Sequence, residues 1–222
     1  MTTQINGTLA LAWFTSFAQD FDSAQASLTE LDRLAGDGDF GTNISSALGR
    51  AHEALPAESE ATFTSVFKGA SSGFMATGGT SGPLFGMWFR SIAKSATDES
   101  ASLSDLAAGI AAGLATIQKL GGAKVGDNTM VDALEPASVA LSASAEQGST
   151  LAEGLLAAAQ AARKGAESTE ELIAARGRAS YVGELARGVL DPGAVTVALF
   201  FQAGANTIGE PQEWTPLITA KS

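Results

Sequence analysis

Three aspartates that could hold a metal ion lie close together in one segment: Asp32, Asp37 and Asp39. Glycines on both sides of Asp37 allow the backbone to fold so that the carboxylates converge. Converging carboxylates repel one another unless a cation lies between them, and their oxygens are the hard ligands that Mg²⁺ or Ca²⁺ prefers. The segment therefore predicts a divalent-cation site, with Thr42 or Asn43 capping a helix whose N-terminus faces an anion.

Residues 36–41 also fit the glycine pattern G-x-G-x-x-G of dinucleotide-binding folds. That pattern needs a preceding strand, whereas a helical pattern precedes it here, and two aspartates inside the loop would repel a bare pyrophosphate. The EF-hand is also excluded, because its ligands extend over a longer loop that ends in a glutamate. A plain acidic loop between two helices is the alternative that this segment allows when it is taken by itself.

A second candidate is the segment 78–82, in which glycines surround Thr80 and Ser81 just before a predicted helix. Its backbone N–H groups and hydroxyls could bind a phosphate. The lysine of a P-loop is missing, so that motif is excluded. A simple helix–helix turn with a capping serine is the alternative.

Three later segments complete the set of candidates. Residues 121–132 form a glycine-rich loop with a polar helix start at Asp127 or Asn128, and a turn with a helix cap is an equally good interpretation of it. Arg178 could pair with a phosphate, although a solvent-exposed arginine is the commoner case. The Asp-Pro-Gly sequence at 191–193 is typical of a turn.

Charge and composition exclude several classes of function. The chain has 13 lysines and arginines against 24 acidic residues, a net charge of −11, which disfavours nucleic-acid binding but not a nucleotide neutralised by a bound cation. The absence of cysteine excludes thiol catalysis and disulfides and favours the cytoplasm. A single histidine, His52, excludes a multi-histidine metal site. We expect no targeting segment and no membrane span.

Apolar residues recur at helical spacing along nearly the whole chain, as in an all-α protein. Glycine clusters near residues 38, 79 and 122 lie about 40 residues apart, the spacing of one helix pair, so alternate loops of an up-and-down bundle would meet at one end. Without an interdomain linker, residues 1–222 are predicted to form one domain. The predicted helices are roughly 8–19, 24–34, 42–55, 60–76, 81–97, 102–119, 128–145, 149–166, 169–186 and 193–204.

Together, the candidate loops resemble those of the DAK2-type nucleotide-binding L subunit of dihydroxyacetone kinases. The matching stretches occur in the order of that family and extend over nearly the whole chain. They are Asp32-x4-Asp37-Gly-Asp39-x-Gly41-Thr-Asn43, Gly78-Gly-Thr-Ser-Gly82-Pro, Gly122-Ala-Lys-x-Gly-Asp-x-Thr-Met130-x-Asp-Ala-Leu-x-Pro136, and Gly177-Arg-Ala-Ser-Tyr181 with Asp191-Pro-Gly-Ala194.

The resemblance implies an antiparallel up-and-down barrel of about eight helices, with ADP or ATP held across the loops at one end. It implies that Asp32, Asp37 and Asp39 are the catalytic and metal-binding residues, which hold two Mg²⁺ ions against the phosphates. Phe40 stands where the family often has a histidine, and phenylalanine cannot donate a hydrogen bond to a phosphate. The nucleotide-binding residues that the resemblance implies are Phe40, Gly41, Thr42, Asn43, Thr80, Ser81, Gly121, Gly122, Met130, Arg178, Asp191, Pro192 and Gly193.

The resemblance further implies that the chain is one part of a phosphotransferase. Its partner would be a separate K subunit that binds dihydroxyacetone or another short ketose. The phosphoryl donor would be either ATP or a phosphotransferase-system subunit that rephosphorylates bound ADP, and a homodimer is permitted. The alternative from another class is a nucleotide-loaded regulatory protein that binds a kinase or transcription factor without turnover.

Overall fold

The computed structural model describes residues 2–97, 99–176, 180 and 187–218. Two short 3₁₀ turns, Glu58–Glu60 and Thr169–Glu171, lie between the helices. Within the described residues, strand-type pairing is limited to one antiparallel bridge between Ile5 and Ala101. The helices are α1 (Gly7–Ala35), α2 (Phe40–Ala54), α3 (Phe63–Met75), α4 (Ser81–Lys94), α5 (Leu103–Gly121), α6 (Met130–Glu146), α7 (Leu151–Ser168) and α8 (Pro192–Ile208).

The helices form a closed antiparallel barrel. Each helix packs against the next one in the chain, and α8 packs against α1 to close the ring. An up-and-down order places the N-terminal ends of the even-numbered helices at one end of the barrel, together with the C-terminal ends of the odd-numbered helices. The predicted fold class is therefore confirmed. No described helix combines the length and the apolar character needed to cross a membrane.

Aromatic side chains fill the interior of the barrel, which makes it a packed core. Trp13 of α1 and Phe200 of α8 lie with their ring centroids 4.6 Å apart, and Trp13 Nε1 donates a hydrogen bond of 2.8 Å to the Phe200 carbonyl. Phe67 and Phe89 contact the same cluster from α3 and α4. All four side chains are fully buried. The core thus fixes the helices whose ends carry the candidate site.

The structure corrects the helices predicted near the N-terminus. The segments 8–19 and 24–34 are one continuous helix, α1. Asp22 and Ser23 suggest a break, but both lie on the exposed face, and the Ser23 hydroxyl donates to the Gln19 carbonyl within the helix. Phe21 keeps the buried face continuous. Local polarity therefore marked a helix face and not a helix end.

The predicted helix 169–186 lies partly outside the described residues. Up to residue 176 the described part is a 3₁₀ turn, Thr169–Glu171, followed by non-helical backbone at 172–176. Glu170 and Glu171 therefore belong to the end of the preceding helical segment and do not begin a new one. His52 is exposed on α2, where Arg50 and Glu53 are its charged neighbours.

Candidate functional site

The three aspartates converge at the end of α1. Asp32 lies in the last turns of α1, Asp37 in the loop, and Asp39 at the start of α2, and one carboxylate oxygen of each lies within 4.8 Å of the others. Gly38 has φ = +76°, a left-handed conformation that permits the tight loop between the two helices. A cluster of three partly exposed carboxylates at this separation suits a small, oxygen-preferring cation such as Mg²⁺.

The start of α2 is tied to this cluster. The Phe40 backbone N–H donates to Asp32 Oδ2 at 3.0 Å, so the first turn of α2 faces a carboxylate. The helix begins at Phe40 with Asp39 at its N-cap position, whereas Thr42 or Asn43 was predicted as the cap. That prediction was wrong because the helix starts directly after the glycine turn, which places Thr42 and Asn43 inside its first turn.

The candidate segments that the structure describes, at 32–43, 78–82, 121–132 and 191–193, meet in one open cleft of about 210 Å³ at this end of the barrel. Asp32, Asp37 and Asp39 line one part of it. The remaining lining residues that the structure describes are Ala35, Phe40, Asn43, Gly78, Gly79, Thr80, Ser81, Leu84, Phe85, Ile117, Gly121, Ala123, Asn128, Thr129, Met130, Val131, Arg176, Val189, Leu190, Asp191, Pro192 and Gly193.

Four helix N-termini open into the cleft, because the first residues of α2, α4, α6 and α8 all line it. These residues are Phe40, Ser81, Met130 and Pro192. Backbone N–H groups at a helix N-terminus carry partial positive charge and bind anions. The cleft therefore places a group of carboxylates suited to a cation beside several anion-binding helix ends, which is the pairing that a metal–phosphate complex requires.

The glycine-rich segment before α4 offers the most accessible of these ends. Thr80 is the N-cap residue, and its side chain makes no capping hydrogen bond. Gly79 has φ = +80°, and a methyl group there would lie 3.3 Å from Asn43 Nδ2, so the segment approaches α2 closely. Thr80 and Ser81 line the cleft together with the aspartates, at a helix start whose first N–H groups have no partner within the helix.

The loop between α5 and α6 is held by two buried aspartates, Asp127 and Asp132. Asp127 Oδ2 accepts from the Lys124 N–H at 3.1 Å. Asp132 Oδ1 accepts from the Gly126 N–H at 2.5 Å, and Asp132 Oδ2 accepts from the Thr129 N–H at 2.7 Å. Thr129 is the N-cap of α6, so the prediction of a cap at Asp127 or Asn128 was wrong. Those two residues precede the helix inside the turn, where Asn128 has φ = 57°. The loop is pre-formed by these bonds and presents Met130 to the cleft.

Arg176 is a cleft residue that the sequence analysis missed. Its Nε lies 3.4 Å from Oδ2 of Asp127, while half of its side-chain surface stays exposed. It is the only lysine or arginine among the described lining residues. The sequence carried no signal for it, because the motif at 177–181 drew attention to Arg178, which lies outside the described residues.

Asp191 caps α8 and lines the cleft. Its Oδ2 accepts from the Ala194 N–H at 2.6 Å. Surrounding protein raises the pKa of this carboxyl to about 7, although part of its surface opens to the cleft. Burial is the largest cause, and the charges of Asp132 and Asp32 add to it, while the N–H groups of the helix start act in the opposite direction.

Among the implied nucleotide-binding residues that the structure describes, nine line the cleft and three do not. Gly41 is buried against α1, where a methyl group would collide with Thr29 Oγ1. Thr42 is exposed outside the cleft, and Gly122 caps α5 in a left-handed conformation behind Gly121. These residues shape the loops from outside the cleft. The apolar wall at Ile117 and Leu190 was missed, since apolar residues in a helical pattern predict core packing.

Exposed apolar side chains surround the cleft end. The described residues include six large apolar side chains that are more than a third exposed, and one of them, Val139, lies in the middle of α6. The other five lie in the last turn of α1, α3 or α5 or in the loops at this end, and we call them the apolar rim. The apolar rim consists of Leu34, Met75, Leu120, Val125 and Ile173.

Comparison with known proteins agrees with this geometry. The DAK2 domain model matches residues 34–206. The ADP-binding subunit DhaL of the PEP-dependent dihydroxyacetone kinase 1 of Listeria innocua is 36% identical over 199 residues, which are 89% of this chain and 95% of that subunit. The corresponding Escherichia coli subunit is 34% identical over 200 residues, again 89% of this chain and 95% of the relative.

Solved structures share the fold. The dihydroxyacetone kinase of C. freundii superposes with a TM-score of 0.67 at 27% identity, over 90% of this chain and 34% of that one. Its complex with AMP-PNP and Mg²⁺ gives a TM-score of 0.66, with 89% of this chain covered and 33% of the other. The chain thus corresponds to about a third of that kinase. With the family model and two relatives matched over most of its length, the chain belongs to the DAK2-domain family, and it is similar to the DhaL subunits of dihydroxyacetone kinases.

Proposed function

We propose that this chain is the nucleotide-binding, phosphoryl-transferring subunit of a kinase for dihydroxyacetone or a related short ketose. The observation that carries the proposal is the cleft, in which three converging carboxylates lie beside several helix N-termini. Phosphoryl transfer depends mainly on holding and neutralising phosphates, and these groups do both. The relatives named as ADP-binding kinase subunits favour this function over a regulatory protein without turnover.

The carboxylates of Asp32, Asp37 and Asp39 would hold two Mg²⁺ ions. Three closely spaced carboxylates provide enough oxygen ligands for more than one ion when phosphate oxygens share them. Bound Mg²⁺ supplies positive charge that neutralises the phosphates. Thr80 and Ser81 would donate N–H and hydroxyl hydrogen bonds to the same phosphates.

The part of the cleft lined by the starts of α6 and α8 would hold the adenine. Gly121, Met130 and the turn Asp191–Gly193 line it together with Ile117 and Leu190, so this part combines apolar surface with backbone polar groups. A flat base with polar edges suits such a surface. Arg178 would pair with a phosphate, as the family resemblance implies.

The acceptor sugar would be held by a separate K subunit. The described residues offer one exposed histidine, His52, which lies outside the cleft lining, so the cleft itself supplies no histidine to capture a ketose. The apolar rim supports docking of a protein partner at the cleft mouth, since exposed apolar residues grouped at one end of a domain mark interaction surfaces.

The phosphoryl donor would be a phosphotransferase-system subunit that rephosphorylates ADP in the cleft. Two relatives covered over 95% of their length are named as PEP-dependent, and a third from Lactococcus lactis as PTS-dependent. These names favour a retained ADP over exchange with ATP.

A reconstituted transfer assay tests the proposed function. The chain is loaded with Mg²⁺ and ADP, combined with a dihydroxyacetone-binding K subunit, and supplied with either ATP or a phosphorylated carrier subunit. We expect dihydroxyacetone phosphate only when the K subunit is present, and more of it with the carrier. Full-rate phosphorylation of dihydroxyacetone by the isolated chain would contradict the need for a separate K subunit. A lack of product with either donor would favour the regulatory alternative.

A further inference from the structure

Arg50, near the C-terminal end of α2, reaches across to the segment that leads into the glycine loop before α4. Its Nη1 donates to the Ala76 carbonyl at 3.2 Å and to Thr77 Oγ1 at 3.0 Å. Ala76 is the C-cap residue of α3, so Arg50 satisfies a carbonyl that the end of the helix leaves open. This contact joins elements that are 26 and 27 residues apart in the chain.

Thr77, which Arg50 contacts, is held in a fixed position where the glycine loop begins. Its hydroxyl donates to the Gly73 carbonyl at 3.1 Å while it accepts from Arg50, and only 6% of the residue is exposed. Gly82 packs against it from the start of α4. Thr77 is therefore held on both sides. The four residues between it and Gly82 all line the cleft, and they are Gly78, Gly79, Thr80 and Ser81.

One face of α2 connects this contact to the carboxylates. Asn43 and Arg50 are seven residues apart and therefore lie on the same side of the helix. Asn43 lies against Gly79, Arg50 holds Thr77, and the start of the same helix binds Asp32 through the Phe40 N–H. A single rigid helix thus sets the distance between the cation ligands and the phosphate loop.

We propose that Arg50 is a positioning residue for phosphate binding, which holds the Thr77–Ser81 loop at the correct distance from the aspartates. The inference rests on the proposed function, since it assumes that the loop binds nucleotide phosphates. Arg50 is absent from the cleft lining, so it acts through the loop and does not touch the ligand. Its Nη1 donates to two acceptors at once. The planar guanidinium holds this nitrogen in place more rigidly than the flexible stem of a lysine holds its ammonium.

The test compares the affinities of ADP and adenosine for the full chain in the presence of Mg²⁺, measured by isothermal titration calorimetry. We expect Arg50→Ala to weaken ADP binding by about tenfold, the effect of losing a hydrogen bond to a charged group, with little effect on adenosine. Arg50→Lys should restore part of the loss. Arg90→Ala, which removes an exposed arginine outside the cleft lining from α4, is the control and should bind like wild type.

A double-mutant cycle with Thr77→Val separates positioning from general stabilisation. If Arg50 acts through Thr77, the loss of ADP affinity in the double variant is smaller than the sum of the two single losses. A lower melting temperature with unchanged ADP affinity would overturn the positioning role and leave the proposed function standing. Equal losses for ADP and adenosine would also overturn it. Wild-type protein that binds neither ligand would overturn the proposed function itself and this role with it.

Discussion

At the scale of single residues, the carboxylates around the cleft differ in the hydrogen bonds that they make within the protein. Asp32 accepts from the first N–H of α2, Asp132 accepts from the N–H of the α6 cap residue Thr129, and Asp191 caps α8. Asp37 is exposed in the loop, so its replacement disturbs no buried packing. Metal binding and folding can therefore be separated most cleanly at Asp37.

We expect Asp37→Asn to weaken Mg²⁺-dependent ADP binding by about tenfold or more, because a charged ligand is lost. The free energy of unfolding without Mg²⁺ should not fall more than about 0.5 kcal/mol below wild type, because the position is exposed and loss of one charge relieves repulsion among the carboxylates. Calorimetric titration and urea unfolding measure the two quantities. Asp22→Asn, an exposed change on the outer face of α1, is the control. Unchanged ADP affinity in Asp37→Asn would contradict the metal assignment.

Asp191 should make stability depend on pH. Its folded pKa of about 7 lies above the ordinary value of 3.8, so between these pH values the folded protein keeps a proton that the unfolded chain loses. The carboxyl therefore stabilises less and less as the pH rises through this window. Asn caps helices as well as Asp does, so Asp191→Asn should keep α8 intact.

The measurement is urea unfolding of wild type and Asp191→Asn, both without metal, from pH 4 to pH 8. We expect the free energy of unfolding of Asp191→Asn to rise relative to that of wild type as the pH rises. The change should reach about 2 kcal/mol at most, because solvent at the cleft mouth screens the carboxyl. A difference that stays constant over this range would show that burial does not perturb Asp191.

Residue types and spacing could predict the carboxylate cluster, but they could not predict how each residue of a motif is used. Gly41 belongs to a motif that matches the family, yet the structure uses its lack of a side chain for contact between α1 and α2. Arg176 lies in no recognisable motif, yet it lines the cleft, where its Nε lies 3.4 Å from Asp127 Oδ2. Such roles depend on contacts between residues far apart in the sequence.

At the scale of helices, close packing depends on glycines where two helices approach. A methyl group on Gly73 of α3 would lie 2.2 Å from the Ala51 nitrogen of α2, whereas one on Gly49 of α2 meets nothing within 4 Å. Both glycines lie inside helices. Alanine substitutions at these two positions therefore separate two contributions to the free energy of unfolding. One is the steric collision between helices, and the other is the intrinsic preference of a helix for alanine.

We expect Gly73→Ala to lower the free energy of unfolding by about 1–3 kcal/mol, because α2 and α3 must move apart. The matched change Gly49→Ala should raise it by about 0.5–1 kcal/mol through helix propensity alone. Urea unfolding of both variants checks the pair. A Gly73→Ala protein as stable as Gly49→Ala would show that the α2–α3 contact is looser than described.

Helical periodicity could predict the existence of most helices and their antiparallel order, since that signal is local and strong. It could not predict that α1 runs unbroken through Asp22 and Ser23, because an exposed helix face and a loop have the same polar composition. Nor could it place the helix starts at Phe40 and Met130, since several residues in each turn were suitable caps and tertiary contacts decided among them.

At the scale of the whole molecule, the apolar rim distinguishes the cleft end from the rest of the surface. Leu120 of the rim is 62% exposed, and Val139 in the middle of α6 is 63% exposed. Both are large aliphatic residues on helices and neither lines the cleft. They form a comparable pair, since both are aliphatic and almost equally exposed, but they lie at different places on the barrel.

We expect Leu120→Ser to weaken association with the K subunit by roughly five- to tenfold, the loss of one well-buried aliphatic contact. Val139→Ser should leave association unchanged, and neither change should alter ADP affinity. Biolayer interferometry with immobilised K subunit compares the two. Equal effects of both substitutions on association would contradict docking at the cleft end.

The central claim is that the cleft holds an adenine nucleotide through a divalent cation bound by the aspartates. The most direct test incubates the purified chain with ADP, with Mg²⁺ or with EDTA, removes free nucleotide by gel filtration, and measures by anion exchange the ADP that denaturation releases. We predict stoichiometric ADP in the Mg²⁺ sample and its loss in the EDTA sample. An absence of ADP in both samples, or equal retention in both, would contradict the claim.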